Sequence, residues 1–169
     1  YRFFMLFSHS IVWCGGYWIY NLDFMKSELH KKLQDEAVQW LRDTGCFIAD
    51  QEVTFGGAQN DVVGIKRNGV TYCVEVKATE ADLQKARQDY YYQRSRKVFH
   101  FYYLYLPHEL NPKGVFDGWG IIKNGQVVRK AKRNDVDTKI IDYIELLERI
   151  AESLCDRIYG WKGQKIPEF

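Results

Sequence analysis

Glu75 and Lys77 stand two positions apart in the run Val70-Thr71-Tyr72-Cys73-Val74-Glu75-Val76-Lys77. The run is rich in β-branched and aromatic residues and reads as a strand. Side chains two apart on a strand share a face. An acid therefore lies beside a base, while Val74 and Val76 turn the other way into a core. Taken alone, such a pair is more often a surface ion pair, because charged edge strands are frequent. Asp61 changes that weighing. It opens the run Asp61 to Lys66, and the link Arg67-Asn68-Gly69 is a hairpin signal. A two-residue Asn68-Gly69 loop would set Arg67 against Val70 and Asp61 against Val76, on the wrong face. A three-residue loop with Gly69 in the left-handed region sets Lys66 against Val70 and Asp61 against Glu75. In that expected register the two carboxylates lie side by side, their Cβ atoms roughly 5 Å apart. Two such anions repel unless a cation sits with them. Lys77 can serve, and two hard oxygen ligands also suit Mg2+, which takes one or two carboxylates together with waters and a phosphate.

The elements that must position these residues follow from periodicity. Leu29, Leu33, Ala37, Trp40 and Leu41 recur at helical spacing, so Met25 to Thr44 reads as an amphipathic helix stopped by Gly45. Cys46 to Phe55 reads as a strand closed by Gly56-Gly57, and Glu80 to about Ser95 as a second helix. Val98 to Leu106 is a β-prone central strand ended by Pro107, and Trp119 to Arg129, broken at Asn124-Gly125, is a second hairpin. Thr138 to Tyr159 reads as a final helix with the stripe Ile140, Ile144, Leu147, Ala151, Leu154 and Ile158. Helix, three strands, helix, strand, hairpin, helix suits an α/β sandwich around a mixed sheet.

Composition bounds the function. With 169 residues, 46% hydrophobic and 27% charged, the chain is neither disordered nor fibrous. Its net charge of +2 argues against a polybasic binder, so any nucleic-acid contact must come from local patches. One such patch is Lys85, Arg87, Arg94, Arg96 and Lys97, interleaved with Tyr90, Tyr91 and Tyr92, which could hold a phosphate backbone and stack unpaired bases. A solvated helix face is the bland alternative. Cys14, Cys46, Cys73 and Cys155 form no C-x-x-C pair, so zinc-ribbon spacing is absent and a reducing, cytoplasmic compartment is expected. Tyr1 to Phe24 is aromatic-rich and carries no charged side chain from Phe3 to Leu22. The domain proper is expected to begin near Met25 and run to Phe169, with residues 1–24 an accessory or non-native extension. A membrane anchor and an added core element are the alternatives, and no stable membrane association is expected.

Asp61, thirteen intervening residues, Glu75, one residue and Lys77, on a hairpin after a Glu-bearing helix, resemble the PD-(D/E)XK nuclease superfamily. Asn60 stands where that family often has proline. The Gly56-Gly57 turn, Asp61-Val62-Val63, Val74-Glu75-Val76-Lys77, Thr79, Asp82-Leu83, Leu106-Pro107 and Gly118 to Ile121 resemble the MmcB-like DNA-repair branch. The resemblance covers roughly Lys26 to Lys132. It implies a restriction-endonuclease-like three-layer sandwich with a central mixed sheet flanked by helices. It also implies Mg2+-dependent hydrolysis of nucleic-acid phosphodiesters, with Mn2+ as a substitute. DNA is the expected substrate, with RNA open, in repair, recombination or phage and mobile-element DNA processing. In that reading Asp61, Glu75 and the Val76 carbonyl hold metal, and Lys77 orients the attacking water. A first-helix acid completes the site, Glu28 or alternatively Glu36, and Glu52 could point in from its strand. Gln88 and Tyr92 resemble the Q-x-x-x-Y pair of RecB-like nucleases. Lys85, Gln88, Tyr92, Arg94 and Arg96 are then the nucleic-acid contacts. Many relatives act as dimers, so a homodimer is among the expectations. A non-catalytic nucleic-acid-binding module is the alternative reading.

Overall fold

The computed structural model describes residues 11–14, 17–20, 22–56, 58–87, 98–112, 116–136 and 140–159. Two short strands, β1 (Ile11–Cys14) and β2 (Tyr17–Tyr20), pair antiparallel as a sheet of their own. Helix α1 (Leu22–Asp43) follows. It runs unbroken through Met25, so the expected boundary there falls inside a helix. α1 buries Leu33, Ala37, Val38, Trp40 and Leu41, while Leu29, placed on the apolar stripe by spacing, stands exposed one turn before the packed face begins. Gly45 ends the helix in the left-handed region (φ +93), its N–H donating to the Arg42 carbonyl at 2.9 Å.

Six strands then build one mixed sheet in sequence order: β3 (Cys46–Phe55), β4 (Ala58–Lys66), β5 (Thr71–Val76), β6 (Phe101–Leu106), β7 (Gly120–Lys123) and β8 (Gln126–Arg129). β3–β4–β5 is an antiparallel meander, β5–β6 and β6–β7 pair parallel, and β7–β8 is a hairpin. Parallel neighbours need a crossover, and a helical run at residues 80–87, α2, lies in the one between β5 and β6. Thr79 and Asp82 cap its start reciprocally: the Thr79 N–H donates to Asp82 Oδ2 at 3.1 Å and the Asp82 N–H to Thr79 Oγ1 at 3.2 Å. The β7–β8 turn has Asn124 at φ 49 and Gly125 at φ 74, the left-handed pair that a tight primed hairpin turn requires.

Each face of the sheet has its own core. Val62, Val74, Val76, Tyr105 and Ile122 pack against α1. Val63, Ile65, Cys73, Leu104 and Ile121 pack with Leu83 of α2 and with Leu146 and Ile150 of α3 (Ile140–Tyr159). The fold is thus an α/β sandwich with a six-stranded mixed sheet between helices.

The expected stripe on the last helix is corrected. Ile144 is 50% and Ile158 is 69% exposed, and the buried face carries Leu146 and Ile150, flanked by Leu147 and Leu154. Apolar residues cover a wide arc of this helix, so spacing allowed more than one face. Polar anchors on β3 choose between them: Ser153 Oγ donates to the Gln51 carbonyl at 2.9 Å, and Arg157 pairs with the buried Asp50 carboxylate. Among the described residues no helix is long and apolar enough to cross a membrane. Gln88, Tyr92, Arg94 and Arg96 lie outside the described residues.

Candidate active site

The β4–β5 loop decides which side chains meet. Lys66 N–H donates to the Val70 carbonyl and Gly69 N–H to the Lys66 carbonyl, both at 2.9 Å, with Gly69 at φ +81. This is the three-residue loop. The ladder runs Ile65↔Thr71, Gly64↔Tyr72, Val63↔Cys73 and Val62↔Val74, so one step further Asp61 stands opposite Glu75. On the other side Gln51↔Val62 and Val53↔Asn60 bracket Glu52, placing it opposite Asp61. Three acids therefore form one row across β3, β4 and β5. Asn60 secures the turn that sets the second half of this row. Its buried side-chain amide donates to the carbonyls of Val53, Ala58 and Phe55 at 3.0, 3.0 and 3.2 Å, which a proline there could not do.

Lys77 neutralises the middle of the row. Its Nζ lies 3.2 Å from Asp61 Oδ2 and 3.0 Å from Glu75 Oε2. Asp61 Oδ2 also accepts the Val76 backbone N–H at 2.8 Å. Asp61 Oδ1 faces away from Lys77, toward His30 of α1, whose Nε2 is 3.7 Å distant. Glu52 accepts from Gln34 of α1 through one oxygen and from Gln59 of β4 through the other. Its backbone is left-handed in mid-strand (φ 55), a conformation that costs a non-glycine residue about 1–2 kcal/mol.

The row titrates unevenly. Burial pushes the Asp61 carboxyl up, but the His30 contact, the Lys77 ammonium and the Val76 N–H outweigh it and hold the group at about 2. Glu75, the most buried of the three, is raised to about 7 by desolvation, against the pull of Lys77 and with the push of Asp61. Burial alone would lower Lys77, yet the two carboxylates raise it, so it stays an ammonium. His30 is raised, chiefly by its contact with Asp61. Two acids with separated affinities beside a fixed cation form an arrangement that can hold a metal and stabilise developing negative charge.

Of the group, Glu75, Lys77 and His30 line a cleft of about 250 Å3, together with Asp82, Lys85 and Trp119, among others. Lys85, a candidate nucleic-acid contact, is thus brought to the site. Of the two candidate helix acids, Glu28 is exposed, and Glu36 accepts the Tyr105 hydroxyl at 3.0 Å and neighbours Lys32 at 3.8 Å. The α1 side chain beside Asp61 is His30, which sequence reading passed over. The available signal was its place at the head of the buried stripe that continues through Leu33, Gln34, Ala37 and Leu41. His100, just before β6, has a structural role: buried, it accepts the Thr71 N–H at 3.2 Å.

The class of protein so defined is an α/β sandwich carrying a Glu–Asp–Glu row across strands β3 to β5 and a paired lysine just past the end of β5. No family model matches the chain, and no curated protein matches it. Among solved structures, a protein of unknown function from Silicibacter pomeroyi is similar, with a TM-score of 0.65 and 20% identity over 83% of this chain and 97% of that one. That likeness is one of fold.

Proposed function

We propose that this chain is a metal-dependent nuclease of the PD-(D/E)XK type, with a restriction-endonuclease-like fold, hydrolysing phosphodiester bonds in DNA. The observation that carries the reading is the register that sets Asp61 against Glu75 with Lys77 in contact with both. The donor set fits Mg2+: Lys77 occupies Asp61 Oδ2 and Glu75 Oε2, leaving Asp61 Oδ1 and Glu75 Oε1 outside that contact. Asp61, Glu75 and the Val76 carbonyl would hold the ion. When bound, it would lower the affinity of a water for its proton and offset charge on the phosphate. Lys77, held charged by its two partners, would orient the attacking water and face the negative charge that builds on the phosphate oxygens. Lys85, which lines the same cleft, would bind the backbone phosphate. The protein is expected to act on DNA in the cytoplasm, in repair, recombination or mobile-element processing.

The test is incubation of the chain with supercoiled plasmid and with single-stranded DNA, in Mg2+, Mn2+ or EDTA. Cleavage in either metal and none in EDTA is expected, and no cleavage under any of these conditions overturns the reading. A second reading, a non-catalytic nucleic-acid-binding module, is favoured by the closeness with which Lys77 already neutralises both acids. It predicts salt-dependent DNA binding, unchanged by EDTA, without strand scission.

A further inference from the structure

We propose that His30, Glu52 and Asp61 form a distinct cation position that takes a divalent transition metal, Zn2+, Co2+ or Mn2+, rather than Mg2+. It rests on its own geometry; it shares with the nuclease reading Asp61, whose Oδ1 both positions use, and Glu52, the strand acid that the resemblance also allowed into the site. The three side chains come from α1, β3 and β4, and one ligand atom of each lies within 4.8 Å of the others. Donors about 2.0–2.2 Å from one ion lie roughly 3–3.6 Å apart, so the 3.7 Å between His30 Nε2 and Asp61 Oδ1 needs almost no adjustment.

Asp61 is divided between two sides. Its Oδ2 is taken by the Val76 N–H and Lys77, whereas Oδ1 is turned to His30. The Lys77 ammonium repels a cation on the Oδ2 side, and the imidazole nitrogen on the other side can ligate once an incoming ion displaces its proton. Glu52 is held in place by two amides, Gln34 donating to one oxygen and Gln59 to the other, the kind of outer support that orients a ligating carboxylate. Gln34 lies one helical turn beyond His30, so α1 supplies both a ligand and the group that aims another. An imidazole nitrogen beside two carboxylates selects softer divalent ions, whereas Mg2+ prefers oxygen donors and retained water.

The experiment uses the full chain, free of any affinity tag and stripped with EDTA, titrated with Co2+ and followed by its visible absorption. We expect one Co2+ per chain, displaced by Zn2+, with no near-ultraviolet thiolate band. His30→Ala and Glu52→Gln should each weaken binding by about tenfold or more, while His108→Ala, an exposed loop position, should not. His30→Gln keeps a polar side chain against Asp61 and guards against loss of fold, which thermal melting reports. The proposal is overturned if the parent gives no visible absorption, if a thiolate band accompanies it, or if folded His30→Gln binds Co2+ as the parent does. Plasmid cleavage in Mg2+ bears on the nuclease reading alone, so Co2+ bound without cleavage sinks that reading and keeps this site, and the converse result does the reverse.

Discussion

Val76 donates its backbone N–H to Asp61 Oδ2 at 2.8 Å. The residue between Glu75 and Lys77 thereby pins the carboxylate that Lys77 also holds, and the pair couples β4 to β5 where the row of acids crosses them. Such a carboxylate is fixed twice, by main chain and by ammonium, so replacing either partner has separable effects.

Asp61→Asn and Lys77→Ala should both abolish cleavage and differ in metal binding. Losing Asp61 removes a ligand, so Mn2+ affinity measured by calorimetry should drop steeply. Losing Lys77 removes a cation that repels metal, so affinity should hold or rise. The rate should still fall about a hundredfold or more, as when one aimed charge-stabilising group is lost. Parental cleavage by Lys77→Ala, or parental metal binding by Asp61→Asn, would refute the assignment.

Glu75 makes the metal-free protein sensitive to pH. Its folded-state affinity, about 7, lies above the ordinary 4.5, so protonated Glu75 favours the native state. That contribution is complete below about pH 4.5 and is lost as pH rises through about 7. Asp61, held at about 2 against 3.8, acts oppositely, its contribution present above about pH 3.8 and lost toward 2. Urea unfolding in EDTA should therefore show Glu75→Gln gaining on the parent between pH 5 and pH 8. Parallel stability curves across that range would refute the burial argument.

Gly69 tests the loop. A Cβ there meets nothing within 4 Å, so only its left-handed backbone resists substitution. Gly69→Ala should cost about 1 kcal/mol and Gly69→Asn less, both read by urea unfolding, with metal binding unchanged. A loss of metal binding in folded Gly69→Asn would show that the register depends on more than the turn.

Gly120 behaves differently. It pairs with Tyr103, whose ring lies over it, and a Cβ would come 2.1 Å from Tyr103 Cε1 and 2.9 Å from the Ala131 backbone nitrogen. Gly120→Ala should destabilise by about 1–3 kcal/mol through overpacking. Adding Tyr103→Leu should recover part of the loss, so the double variant should be less destabilised than the sum of the singles. Strict additivity would remove the ring from the explanation.

The Asp61–Glu75 juxtaposition was legible in the sequence as one of two parities, because a hairpin loop is local: a three-residue loop with a glycine last sets the two on one face, and the Lys66–Val70 pairing shows that this loop forms. The sequence by itself also determined β3 to the residue and the Asn124-Gly125 turn, for the same reason. Tertiary structure decided what approaches that pair from outside the hairpin. Glu52 joins the row only because the Gly56 turn and the Asn60 amide set the β3–β4 register. His30, with Glu36 turned toward Tyr105, stands beside Asp61 only because α1 settles on Val62, Val74 and Val76 at one rotation. The face of α3 is likewise a choice between apolar arcs, made by Asp50 and the Gln51 carbonyl on a strand about a hundred residues earlier. Periodicity fixes the angle between side chains on one helix, and the angle between that helix and its sheet comes from packing and buried polar partners.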